Sequence, residues 1–202
     1  MVVQKERALK TLAVDSRAKA LIFDLDGTLV DSMPLHFEAL KEVCARKEFD
    51  FSEEEFYSLA GVPSDRIFEI INERHGTDFD PKADSQLKET TYLGKIDQLK
   101  LIEPVFKLAK KYHGKLPMSI GTGSPGKHSW QAVKILGLNR YFDILVSKND
   151  VKQGKPHPET FLKCAKAMNI DPQYCQVFED GDPGLQAAKS AGMIATDIRG
   201  YL

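Results

Sequence analysis

An apolar run, Ala20-Leu21-Ile22-Phe23, delivers the chain directly into Asp24-Leu25-Asp26-Gly27-Thr28. No other stretch restricts the possible folds as much. A short apolar run closed by acids and a glycine turn reads as a strand buried on both faces that ends in a polar loop. In open α/β sheets, chemistry gathers at the carboxyl ends of strands. Two carboxylates one residue apart repel each other in a buried site. Each therefore needs a metal, a proton or a phosphate-linked partner.

The rest of the chain supports a sheet of this kind. From about residue 101 onward, helical and strand patterns alternate. Pro104 opens a helix, Pro117 to Ile120 is a strand, and about Lys127 to Leu136 is a helix. Phe142 to Val146 is a strand, Pro158 to Met168 a helix and Cys175 to Phe178 a strand. Pro183 to Ala191 is a helix and Met193 to Thr196 a last strand. That alternation predicts an α/β fold, a Rossmann-like parallel sheet with helices on both faces.

Between about Met33 and Lys100 only helices are expected. Pro34 favours a first helical turn, Ser52 and Glu55 spell a capping box, and Gly61 and Pro63 stop the helix that box opens. The domain reading is thus an α/β core of 20–32 and 101–202, an inserted all-helical cap of 33–100, and an N-terminal tail or short helix of 1–19 in which Ala8, Leu9, Leu12 and Ala13 lie near helical spacing. An insert placed just after an acidic strand sits over the mouth of the site and is suited to be a lid.

Composition removes several classes of function. The 202 residues carry a formal net charge of −1 with the two signs interspersed, so no basic nucleic-acid surface is expected. No apolar run approaches a membrane span, and the segment before Ala20 lacks the pattern of a signal peptide. Cys44, Cys164 and Cys175 show no metal-type spacing and cannot pair completely, which fits core thiols in a reducing, cytoplasmic compartment. A monomer acting on a small molecule is expected.

The strand ends carry distinct chemistry. The first offers Asp24 and Asp26, and the second Thr122 with the amides of Gly123 and Ser124. The third offers Lys155, and the fourth Glu179 and Asp180 with Asp182 close by. Carboxylates, a lysine and a hydroxyl are the inventory for a phosphoryl group and a hard cation such as Mg²⁺. Gly121-Thr122-Gly123-Ser124-Pro125-Gly126 also spells a dinucleotide fingerprint, and on to Lys127 it nearly spells a Walker A loop. The first wants an acid at the end of the next strand, but Asp143 stands at the beginning of its strand. The second wants Ser or Thr after the lysine, where His128 stands.

In their order, Asp24-Leu25-Asp26-Gly27-Thr28, Thr122, Lys155-Pro156 and Glu179-Asp180 resemble the four motifs of the haloacid dehalogenase-like phosphohydrolases, over nearly the whole chain from Ala20. The inserted cap is similar to that of the β-phosphoglucomutase-like branch. Within it, the stretches around Thr122 and Asp180 look most like those of the phosphatases of fructose 1-phosphate or 6-phosphogluconate.

The resemblance implies a Mg²⁺-dependent sugar-phosphate phosphatase working through an aspartyl-phosphate. Asp24 is then nucleophile and metal ligand. Asp26 is general acid and then base, giving its backbone carbonyl to the metal. Thr122, Gly123 and Lys155 hold the phosphoryl group, Asp180 completes the metal site, and Glu179 binds the metal through water or orients its neighbours. His36 and Arg66 are expected substrate contacts, with Lys95 a weaker candidate.

A halide leaves without a proton, whereas an alkoxide needs one, so Asp26 favours a phosphate ester over a haloacid. A β-phosphoglucomutase-type mutase is the alternative. The mutase pattern places an arginine where Ser64 stands here, with Arg66 two residues later, and that departure favours hydrolysis.

Overall fold

The computed structural model describes residues 11–59 and 62–202. Five parallel strands form the sheet: β1 (Ala20–Phe23), β4 (Met118–Gly121), β5 (Leu145–Val146), β6 (Cys175–Glu179) and β7 (Ile194–Asp197), in the order β5-β4-β1-β6-β7. β1 is central, and all four of its residues are fully buried. Its side chains alternate between faces, as a strand's period of two requires. Leu21 and Phe23 join the core under α5 (Glu103–Tyr112) and α6 (Gly126–Ile135). Ala20 and Ile22 join the core under α7 (Glu159–Met168) and α8 (Asp182–Ser190). The expected α/β architecture, helices on both faces of a parallel sheet, is what the chain adopts.

Between β1 and β4 the chain leaves the sheet. β2 (Val30–Asp31) pairs antiparallel with β3 (Lys100–Leu101), and everything between these strands that the structure describes is helical or loop. The helices are α1 (Met33–Ala45), α2 (Glu53–Ser58), α3 (Ser64–His75) and α4 (Pro81–Leu93). They bury a cluster of their own, which includes Leu40, Val43, Phe51, Phe56, Phe68 and Phe79. The β2–β3 ladder was not expected from the sequence. Two residues a side give no periodicity to read, and the pairing joins positions that lie far apart in the chain.

Other departures are local. Ser52 accepts from the Glu55 amide at 3.2 Å, but the Glu55 carboxylate turns to Arg74 and His75. Half of the capping box forms, because Arg74 and His75 on α3 engage the carboxylate in place of one backbone amide. The expected strand from Phe142 narrows to Leu145–Val146, since Phe142 turns its ring into the core edge-on to Phe23 at 5.5 Å. Asp182, close to the fourth strand end in sequence, is the first residue of α8 and pairs with Arg199 at 2.8 Å. Gly94 ends α4, and Ile96–Gln98 continues as a 3₁₀ turn.

Ala8, Leu9 and Gly61 lie outside the described residues. Of the expected N-terminal tail, Leu12 packs into the core, and the Gln176 side chain bonds the Asp15 amide and the Ala13 carbonyl. Cys44, Cys164 and Cys175 are buried and unpaired, and burial pushes their thiols up to about 12, 12 and 11. Among the described residues no helix is long and apolar enough to cross a membrane.

Phe178 stacks on Phe23 at 5.0 Å with both rings fully buried, one residue before each acidic strand end. Phe178→Ala is expected to cost about 3–5 kcal/mol, read as a lowered urea midpoint with an unchanged denaturant slope.

Candidate active site

Parallel strands place their carboxyl ends side by side, and pairing fixes their level. Phe23 is level with Phe178 on one side and with Ile120 on the other. The Asp24 amide extends the ladder to the Phe178 carbonyl at 3.0 Å, and the Thr122 amide does the same to Val146 at 2.9 Å. Asp24, Thr122 and the pair Glu179-Asp180 therefore arrive at one edge of the sheet. Lys155 reaches them from the loop after β5.

The Lys155 ammonium donates to Asp24 Oδ1 at 2.5 Å and to Glu179 Oε2 at 2.9 Å. Burial disfavours this ammonium, but Asp24 and Glu179 outweigh burial and hold its pKa above the ordinary lysine value. The carboxylates shift the same way for a different reason. Burial, then repulsion from Glu179, pushes Asp24 well up despite Lys155. Burial also raises Glu179 against the pull of Lys155, and raises Asp180 against the hydrogen bond from Thr28. That bond, from Thr28 Oγ1 to Asp180 Oδ1, is 2.7 Å.

Two glycines make room for the cluster. Gly27 turns with φ +82°, and a Cβ there would stand inside contact distance of the Asp180 carboxylate. A Cβ on Gly184 would do the same to Glu179. The first also needs its left-handed backbone, which glycine adopts without strain. Asp24, Glu179 and Asp180 each offer an oxygen, all within 4.8 Å of one another. A compact set of hard oxygen donors fits Mg²⁺.

Asp26 stands apart from this set. Its Oδ1 accepts from Ser32 Oγ at 2.8 Å and its Oδ2 from Ser124 Oγ at 2.6 Å. Hydroxyls donate or accept by rotating, so they can hold this carboxyl in either protonation state. His36 Nε2 lies 4.0 Å from Asp26 Oδ1. Lys88 Nζ contacts His36 Nδ1 at 2.8 Å, and the imidazole stacks on Tyr92 at 4.0 Å. Burial pushes His36 down to about 4, with the Lys88 ammonium adding to the effect. The ring is therefore neutral at pH 7. An ammonium can only donate, so Nδ1 accepts and the ring proton sits on Nε2, toward Asp26.

The structure thus brings Asp24, Lys155, Glu179 and Asp180 together, with Asp26 and His36 beside them. Thr122 is buried at the end of β4, where its hydroxyl accepts from the Ser124 amide at 3.0 Å, and Gly123 borders open space. Arg66 is placed differently from the rest. It is exposed, with its guanidinium paired to Glu69 at 2.8 Å and Glu73 at 2.9 Å of its own helix. Lys95 pairs with Glu38 and Glu42.

Sequence reasoning missed Ser32, Lys88, Glu89 and His128 as site residues, and named Ser124 for its amide but not for the hydroxyl that bonds Asp26. For Lys88 a signal existed. It and Tyr92 stand four apart and are the buried residues of α4, so a lysine occupies the helix's inward stripe.

Similarities to other proteins agree with this geometry. Residues 21–197 match the family described as haloacid dehalogenase-like hydrolase. The fructose-1-phosphate phosphatase YqaB of Escherichia coli is 40% identical over 91% of this chain and 97% of its own length. The 6-phosphogluconate phosphatase of the same organism is 30% identical over 88% of this chain and 81% of its own. The crystal structure of β-phosphoglucomutase from Clostridium difficile superposes with a TM-score of 0.76 at 27% identity, over 89% of this chain and 84% of that one.

Because folding raises the pKa of Asp24, Glu179 and Asp180, the folded chain holds protons that the unfolded chain has lost. His36, lowered from 6.5 to about 4, makes stability rise over that range, and against that rise the three carboxylates contribute a falling slope in the metal-free protein from about pH 4 toward neutrality. Asp24→Asn should flatten that slope and raise the metal-free stability at pH 7 by about 1 kcal/mol or more. Thermal unfolding in chelator across pH checks both.

Proposed function

Because the chain belongs to the haloacid dehalogenase-like hydrolases and is a phosphoric monoester hydrolase, we propose that it hydrolyses small sugar-phosphate monoesters of the fructose 1-phosphate or 6-phosphogluconate type, through an aspartyl-phosphate on Asp24 and with Mg²⁺ as cofactor. The observation that carries this reading is the separation of the two aspartates. Asp24 sits in the carboxylate cluster against Lys155, while Asp26 faces the other way, between two serine hydroxyls.

Asp24 attacks phosphorus with the oxygen not engaged by Lys155. The bond from phosphorus to the sugar oxygen breaks, and Asp26 gives its proton to that oxygen. Lys155, Thr122 and Gly123 hold the non-bridging oxygens. Asp26, now ionised, takes a proton from a water as that water attacks the phosphorus. The bond from phosphorus to the Asp24 oxygen breaks, inorganic phosphate leaves, and Asp24 is restored. Asp24, Asp180, the Asp26 carbonyl and, through water, Glu179 would hold Mg²⁺, which supplies charge neutralisation for the phosphoryl oxygens.

Residues 33–100 act in this reading as the lid, with His36 and Lys88 carrying its contact to Asp26. Ser64 and the engagement of Arg66 with Glu69 and Glu73 support hydrolysis over a mutase, because Ser64 carries no cation and the Arg66 guanidinium is already paired.

Asp24→Asn is expected to abolish phosphate release from every substrate. Asp26→Asn should cut kcat on fructose 1-phosphate by about 100-fold or more, and far less on p-nitrophenyl phosphate, whose leaving group needs no proton. Equal losses on the two substrates would exclude Asp26 as the acid.

Incubation with β-glucose 1-phosphate separates phosphatase from mutase. Free phosphate is the expected product, and accumulation of glucose 6-phosphate would overturn hydrolysis as the main activity.

A further inference from the structure

Between α4 and α6, beside Asp26, lies a cavity of about 30 Å³ whose lining includes Asp26, His36, Glu89, Tyr92, Ser124 and His128. That volume takes one or two water-sized groups. Most polar atoms on its walls are already engaged. Ser32 and Ser124 occupy both oxygens of Asp26. Lys88 occupies His36 Nδ1 and reaches Glu89 Oε1 at 3.2 Å.

Two atoms are left over, and they face each other. Glu89 Oε2, from α4, lies 3.5 Å from His128 Nδ1, from α6, without forming a hydrogen bond. His128 Nδ1 is shielded from solvent and has no other partner among the described residues. A shielded ring nitrogen opposite a carboxylate oxygen wants a group that can both donate and accept. A carboxylate only accepts; with the ring proton of His128 on Nδ1, the group between them donates to Glu89 and accepts from the imidazole. A hydroxyl does both.

We propose that Glu89 and His128 together bind a hydroxyl on the carbon skeleton of the leaving alcohol, and so select polyol phosphates over phosphates of plain alcohols. The inference rests on the reading of the chain as a sugar-phosphate phosphatase and names how that substrate class is recognised. Position supports it. The pair opens on the same cavity as Asp26, the residue that delivers a proton to the leaving oxygen, so a hydroxyl held there belongs to the departing alcohol and not to the phosphate.

One partner comes from the lid and one from the sheet-bearing core, so the bound hydroxyl also bridges the two. A plain alcohol leaves the shielded His128 Nδ1 unpaired. A site built around a hydroxyl rejects the analogue lacking it for that reason.

The test compares kcat/KM for fructose 1-phosphate and propyl phosphate in the full chain with Mg²⁺, for wild type, Glu89→Gln and His128→Leu. The wild type is expected to prefer fructose 1-phosphate. Each variant should lower the ratio of the two kcat/KM values by about 10- to 100-fold, mainly through KM for the sugar phosphate. Comparing ratios cancels the intrinsic reactivity of each ester and any general loss of active protein.

Equal loss on both substrates would mean that the pair only latches the lid, and overturns the inference. So would an unchanged ratio, or a wild type indifferent to the hydroxyls. A wild type that releases phosphate from neither ester overturns the sugar-phosphatase reading itself, and the inference with it.

Discussion

The site depends on charge crowding that the rest of the molecule is built to hold. Asp24, Glu179 and Asp180 converge within 4.8 Å, and Lys155 is the cation bonded to two of them. Two like charges at about 4 Å cost on the order of 4 kcal/mol at the effective dielectric of a protein. That is a large share of the roughly 5–15 kcal/mol by which a domain is stable.

One ammonium against three ionised carboxylates leaves two negative charges, which is the complement of a divalent cation. The scaffold answers the crowding in three ways. The strands are fixed in register by buried aromatic pairs such as Phe23 and Phe178. Gly27 and Gly184 clear the space that side chains would fill. Thr28 and Lys155 supply the donors.

What was legible in the sequence follows from this same division. The sheet could be read because buried parallel strands are apolar runs, and each ends where the polarity changes abruptly. Asp24, Asp26 and Asp180 could be placed because each stands at such a change, and Lys155 because it stands in the loop after the third strand, before Pro156. Short-range signals fared less well where tertiary partners competed. Glu55 gave up its half of the capping box to Arg74 and His75, and Phe142 left its strand for the core.

The lid side of the site was the least legible part. His36 was found only by its distance from Asp24 along the chain. Lys88 was marked only by its place on the inward stripe of α4, while Glu89 and His128 come from helix faces that look solvated, and their meaning depends on how α4 meets α6. The serines that hold Asp26 illustrate the same limit, since Ser32 and Ser124 lie 92 positions apart yet share one carboxylate.

The lid also bears on the chemistry in a way the acidic cluster does not. In the proposed reaction its two halves make opposite demands. Breaking the sugar ester benefits from excluding water, which would otherwise compete for Asp24 and weaken every charge interaction in the site. Hydrolysing the aspartyl-phosphate needs one water, placed next to Asp26.

A cavity of about 30 Å³ beside Asp26 reconciles these demands, because it is too small for bulk solvent and large enough for a single water. While the alcohol is bound, its hydroxyl fills this space between Glu89 and His128. Once the alcohol has gone, this space and the place of the ester oxygen beside Asp26 are both open to water. Asp26 then faces a proton donor where it had faced a proton acceptor. The neutral His36 beside it keeps its ring nitrogens committed, Nδ1 to Lys88 and the proton on Nε2, so it does not compete for the proton that Asp26 must receive. The geometry that selects the alcohol is then also what admits its replacement.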